Sequence, residues 1–302
     1  MHSPVSRLGW LLAILTLNVA AARAQTALPA ARPVPQAQVV PQPYEQVSFQ
    51  RDGAELARLH FGPGLNRPFV FPAIGPAGRS ITRMGHPHNP VSHSHHNSIW
   101  VSHNDVNGVS FWADRGTNQG RILGQRLEAL EDGPDVAAAT VVSHWVDKDG
   151  RVLLQERRRT AVELLPNREW LLVVDLQLDP RGKDATFGKT PFGLVGVRMA
   201  KTIGLHDGGG TIRNSEGNVD EQGDNGCFWK RARWCDYSGP LLPGKHEGAT
   251  LLDHPANPNH PTIFHVRSDG WMGTSFTHEA PRVVEPGQPL QLRYAVYVHA
   301  GV

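Results

Sequence analysis

Two cysteines in 302 residues are too few for a disulfide framework or a cysteine-built metal knot. No H-E-x-x-H or paired cysteine–histidine spacing occurs either. Charge of one sign is missing too, with 30 Lys and Arg set against 28 Asp and Glu. A nucleic-acid groove or an anionic-membrane patch needs clustered, uncompensated basic residues, so that class of partner is excluded. The one basic run, Arg157-Arg158-Arg159, lies between apolar stretches that read as strand, which predicts a solvated or internally paired face. Beyond the N-terminus no apolar run approaches the ~20 residues needed to cross a bilayer. No window of helical length sustains a 3.6-residue repeat, which excludes a helical domain. No fixed-period repeat is present, which excludes a propeller or solenoid.

What is there begins with "MHSPVSRLGWLLAILTLNVAAARA", residues 1–24. A basic Arg7, an apolar run and the small-residue close Ala22-Arg23-Ala24 predict a secretory signal peptide cut before Gln25. Cleavage removes Arg7 and Arg23, leaving a nearly neutral exported chain. Residues 25–43 hold five prolines and no aromatic residue, and read as an extended, disordered leader. Residues 44–302 then read as one all-β domain, a large antiparallel sandwich of supersandwich or jelly-roll type with very little helix.

The strand signal is clearest in "LQLRYAVYVH". There Leu290, Leu292, Tyr294, Val296 and Val298 share one face by period-two alternation. Upstream, Asp149-Gly150 and Pro166-Asn167 punctuate three long strands of an antiparallel meander. Cys227 and Cys235, read as one extended strand, would stand about 26 Å apart. That is far beyond disulfide reach and predicts two unpaired thiols.

The chemistry concentrates in "GHPHNPVSHSHHNSIWVSHNDVNGVSFW", which holds six of the sixteen histidines. Pro87 and Pro90 make its first part loop, and strand resumes near Asn97. His93, His95 and His96 sit at the approach to that strand and His103 at its far end. Three readings stay open. The first is a site for one divalent transition metal on His93, His95 and His96. The second is a proton-transfer set of His93, His95, His96 and His103 working near neutrality. The third is a turn-rich loop whose imidazoles bond backbone and carboxylates. Asn107 and Trp112, close behind, suit a polyhydroxylated ligand, an amide for hydroxyls and an indole for the ring face. Arg198, a charge in the apolar strand "PFGLVGVRMA", must be paired or face a cleft. In the acidic loop "NSEGNVDEQGDNG", Glu216 is the candidate acid partner to a histidine.

"HSHHNSIWVSHNDVNGVSFW", "GLVGVRMA", "FWKRARWCDYSG", "LLDHPANPNHPT" and "YAVYVHAG", in this order, resemble an exported family labelled PmoA, or "methane oxygenase PmoA". The resemblance covers the chain from about Tyr44. The family pattern resembles D-H-x-H-H, and Ser92 stands here in place of its aspartate. The label implies a metal-dependent oxygenase. The architecture is similar to the galactose-mutarotase-like supersandwich, which implies sugar chemistry only by analogy. The expected function is an exported carbohydrate-active enzyme using histidine acid/base chemistry on a small sugar or oligosaccharide. The alternative is a non-catalytic sugar-binding module, and the metal-dependent oxygenase comes last.

Overall fold

Alternating apolar and polar residues put one face of each long strand into a shared core. Trp170–Pro180 alternates buried and half-buried residues along its whole length. The computed structural model describes residue 31 and residues 33–301, so the signal peptide and most of the leader's first half lie outside the described residues. The first strands, β1 (Ala37–Gln42), β2 (Gln46–Arg51), β3 (Ala54–His60), β4 (Phe69–Ala73) and β5 (Ile99–His103), pair antiparallel in sequence order. The meander follows as β6 (Arg121–Glu131), β7 (Val136–Val146), β8 (Val152–Leu164) and β9 (Trp170–Pro180). Next come β10 (Ala185–Phe187), β11 (Gly193–Arg198), the four-residue helix α1 (Leu205–Gly208) and β12 (Thr211–Asn214). After them run β13 (Lys230–Arg231), β14 (Trp234–Leu242), β15 (Lys245–Asp253) and β16 (Ile263–Arg267). The last are β17 (Trp271–Ser275), β18 (Arg282–Val284) and β19 (Leu290–Ala300).

Two large sheets result: a nine-stranded one ordered β1-β2-β3-β4-β5-β11-β17-β16-β13 and an eight-stranded one ordered β12-β14-β15-β19-β9-β8-β7-β6. They pack as a sandwich of the all-β class expected. Trp145, Trp170, Phe111, Phe187 and Tyr294 are fully buried in the core. Trp170 Nε1–H donates across the sandwich to Ile74 O at 2.8 Å, so this large side chain leaves no donor unpaired.

Two sequence expectations change here, and the reading of the basic run holds. Residues 37–42, assigned to the disordered leader, form β1, paired to β2 from Ala37↔Arg51 to Gln42↔Gln46. Pro41 is tolerated because β1 is the sheet's edge, where one backbone donor can be spared. Cys227 and Cys235 are free and buried. They are not on one extended strand: Trp229 at φ 54° and the short β13 turn the chain, bringing the two thiols near one another. The basic run is paired, Arg157 with Glu128 and Arg159 with Glu131 outside, and Arg158 with Glu156 inside.

The strands that position the site are β5, β11 and β17, buried on both faces. One face meets the core. On the other, a cross-strand row runs Phe69, Trp100, Gly196, Gly273, His265. A Cβ on Gly196 would stand 2.6 Å from the Trp100 ring, and one on Gly273 2.8 Å from the Trp271 ring. These two glycines let the indoles lie close to the sheet. Phe69, Trp100, Trp112 and Trp271 form a second apolar cluster there, apart from the main core.

Candidate functional site

The loop of residues 85–97 lies against this second cluster, and between them opens a cavity of about 530 Å³. Its lining includes His86, His93, His95, His96, Trp112, Phe192, His265, Arg267, Asp269 and Trp271. The loop cannot form a ladder of its own because of its prolines, so buried side chains hold it. Arg67, 1% exposed, donates to His95 O, Asn97 Oδ1 (2.7 Å), Phe111 O and Trp112 O (2.9 Å), and pairs with Asp114 at 2.8 Å. One guanidinium thus joins the end of the histidine loop to the segment carrying Trp112.

At the other end, His86 Nε2 lies 2.7 Å from Asp269 Oδ2, and Arg198 Nη1 donates to Asp269 Oδ1 at 2.7 Å and to its carbonyl at 2.9 Å. His86 Nδ1 accepts the backbone N–H groups of His88 and Asn89. That fixes its tautomer, with the Nε2 proton pointing at the carboxylate. His86 therefore has no free ring nitrogen. The remaining imidazoles pack ring to ring, with centroids 5.6 Å apart for His93–His95, 5.1 Å for His93–His96 and 4.6 Å for His95–His96. His96 stacks on Trp100 and Trp271, and His265 meets Trp271 edge-on at 4.3 Å.

Burial makes these rings hard to protonate. It pushes His95 down to about 4, helped by the Arg67 charge, and His265 to about 4, helped by Arg267. His96 is pushed down strongly by burial and by Arg198, and His86 is lowered by the same two causes against the pull of Asp269. Asp269 stays ionised: burial raises its pKa, but the charge and hydrogen bond of Arg198, together with His86, outweigh that and hold it below the usual carboxylate range. At neutral pH the cavity thus presents His86, His95, His96 and His265 as neutral imidazoles, with one carboxylate and the Arg267 cation. His96 Nδ1, His265 Nδ1 and Trp271 Nε1 are buried without a partner, as are Arg198 Nε and Nη2 behind Asp269. Such unmade hydrogen bonds are costly and rare in native folds.

Of the residues singled out by sequence, the structure brings His93, His95, His96 and Trp112 to the cavity, with Arg198 behind Asp269. Three fall elsewhere. His103 is fully buried, accepts the Asp105 N–H, contacts Thr277 Oγ1 at 2.7 Å and is pushed down to about 3 by burial, so it is a core tie. Asn107, at φ 53°, bonds Asp184 O and the Thr186 N–H and shapes a turn. Glu216 sits on an exposed loop beside Arg233, away from the cavity. Arg67, His265, Asp269 and Trp271 were not anticipated. Glycines in the middle of strands β11 and β17 were the signal available for a crowded floor.

The metal expectation moves as well. Among the described residues, the three-residue group whose ligand atoms all lie within 4.8 Å of one another is His88, His206 and Asp207, not His93, His95 and His96. No helix among the described residues is long and apolar enough to cross a membrane.

A family model covers residues 46–302. The chain belongs to the DUF6807 family. It is a family of unknown function, so membership brings no activity with it. No curated protein matches this DUF6807 chain. Among solved structures it is similar to the 4-alpha-glucanotransferase from Thermococcus litoralis, at 10% identity and a TM-score of 0.31. That match covers 88% of this chain and 39% of the other. The chain thus spans about two-fifths of that enzyme's length, and a likeness this distant transfers neither substrate nor mechanism.

Proposed function

We propose that this DUF6807 protein is an exported carbohydrate-active enzyme that moves a proton on a sugar with a neutral histidine. The observation that carries this reading is the composition of one cavity: imidazoles kept neutral by burial beside the aromatic side chains of Trp112, Trp271 and Phe192 that line it. About 530 Å³ suits a sugar of one or two rings. Indole faces cover the apolar side of a pyranose, and imidazoles and Arg267 serve its oxygens. His95 and His265 are the proton acceptors, because His86 is committed at both nitrogens. Asp269, held by Arg198 and His86, orients His86 rather than reacting.

Hydrolysis by two carboxylates requires an acid and a base on opposite sides of the glycosidic bond. Asp269 is the carboxylate in the cavity lining and it is already engaged. Proton abstraction next to a carbonyl or carboxylate, as in an epimerase or lyase, asks for one base and a cation. That set matches His95 or His265 with Arg267. A sugar-binding module is the second reading, favoured by the low proton affinity of these rings, which leaves them unprotonated between pH 5 and 8.

A panel of neutral sugars, uronates and keto sugars incubated in D2O tests this. Expected is solvent deuterium entering at least one substrate, with His95→Ala or His265→Ala slowing exchange by about 10²-fold or more in a folded protein. Trp112→Ala should mainly raise KM. Sugar binding with no exchange in any member of the panel, and affinity unchanged in His95→Ala, would establish the binding module instead.

A further inference from the structure

We propose that His88, His206 and Asp207 bind one divalent transition-metal ion of the zinc class, at a site separate from the cavity. Their ligand atoms all lie within 4.8 Å of one another. Tetrahedral zinc with bonds near 2.0–2.1 Å holds its ligand atoms roughly 3.3 Å apart, so small side-chain rotations complete the set. His88 Nε2 already lies 2.8 Å from both oxygens of Asp207. A plain ion pair would need only those two residues. His206 adds a second imidazole whose ring lies edge-on to His88 at 5.9 Å. Two imidazoles and a carboxylate form a recognised set for zinc, nickel or cobalt.

Both halves of the site are held before any ion arrives. On the loop side, His86 Nδ1 accepts the N–H groups of His88 and Asn89. On the helix side, Leu205 N–H donates to Tyr237 Oη at 2.8 Å, and His206 N–H to Ser268 O at 2.8 Å. Little ordering remains to oppose binding. Both histidines are exposed, so water can fill the remaining coordination positions. The competing cation is Lys201, whose Nζ stands 4.0 Å from Asp207. A bound ion would take the place of the hydrogen bond between His88 and Asp207. It would clip the histidine loop to α1, two segments 119 residues apart in sequence, and so fix the wall that carries His93, His95 and His96.

The test uses the full chain without an affinity tag, stripped with a chelator and titrated with zinc chloride by calorimetry, with parallel thermal melts. Expected are one zinc per chain and a Tm that rises with zinc. His88→Ala, His206→Ala and Asp207→Asn should each weaken binding at least about tenfold, while Lys201→Ala tightens it. His95→Ala and His96→Ala should keep the parent affinity. Circular dichroism verifies folding, and Asp207→Asn, nearly isosteric and still able to hydrogen bond, keeps the test informative if an alanine variant unfolds. No zinc bound by the parent chain overturns the proposal. So does zinc retained by Asp207→Asn and His88→Ala but lost from His95→Ala.

Discussion

His95 lies between the Arg67 charge and its own burial, and both disfavour the imidazolium. An isolated histidine titrates near 6.5, and near-neutral titration was the expectation from sequence. In the fold the pKa is about 4 for His95 and for His265. Catalysis by either ring as base should therefore hold its kcat/KM down to about pH 5 and lose it as pH falls through about 4. Imidazole NMR signals followed from pH 3 to 8 give the independent check, and a His95 signal titrating near 6.5 would sink the assignment. Arg67 is the second residue-scale case. Arg67→Met removes five donors from acceptors in the dry interior and leaves Asp114 without its partner. That should cost about 3–5 kcal/mol and free the histidine loop, seen as a lower denaturation midpoint and lost substrate binding.

At the scale of the element, the floor depends on strands that give up side chains. β11 and β17 place Gly196 and Gly273 side by side in register, with Trp100 on one flank and His265 on the other. Gly196→Ala puts a methyl group 2.6 Å from the Trp100 ring, so the indole and the His96 stacked on it must move. Overpacking of this kind costs about 1–3 kcal/mol. The expected result is a lower Tm and a larger fractional loss of activity than the loss of fold explains. An alanine variant with parent Tm and activity would show that the floor has room. Period-two alternation made β9 and β19 legible from sequence, because one face is dry and the other wet. It could not reveal β5, β11 and β17 as the floor. Strands covered on both faces lose the alternation and read as continuous apolar runs.

For the whole molecule, buried histidines make stability depend on pH. His95, His103 and His265 have folded pKa values of about 4, 3 and 4, below the unfolded value near 6.5. The unfolded chain then binds more protons between those limits, so stability is full above pH 6.5 and falls as pH drops toward 4. His299 acts oppositely. Burial lowers it, but the hydrogen bond and charge of Asp236 outweigh that and raise it. Its contribution is complete below pH 6.5 and is lost as pH rises through the raised value. One raised histidine against these three, with His96 and His86 lowered as well, leaves the acid side dominant, by several kcal/mol at about 1.4 kcal/mol per pKa unit. Thermal melts from pH 8 to 4 should show Tm falling below pH 6.5, and a flat profile would contradict the buried, neutral assignment.

The all-β class, the meander, the pairing of the basic run and the cluster of His93, His95 and His96 were legible in the sequence, because alternation, turn residues and local composition act over a few residues. The same local view misjudged residues 37–42, whose prolines suit an edge strand as well as a disordered leader. It also credited Asn107, His103 and Glu216 with site roles that their distant partners Thr186, Thr277 and Arg233 assign to a turn, a core tie and a surface pair. The tertiary structure decided which partners reach the cavity. His265 and Trp271 arrive from β16 and β17, and Asp269 from the turn between them, about 170 residues further along, and no local pattern encodes a meeting made by sheet order. It decided the protonation states too, since burial and the Arg67 and Arg198 charges exist only once the two sheets and the loop have come together.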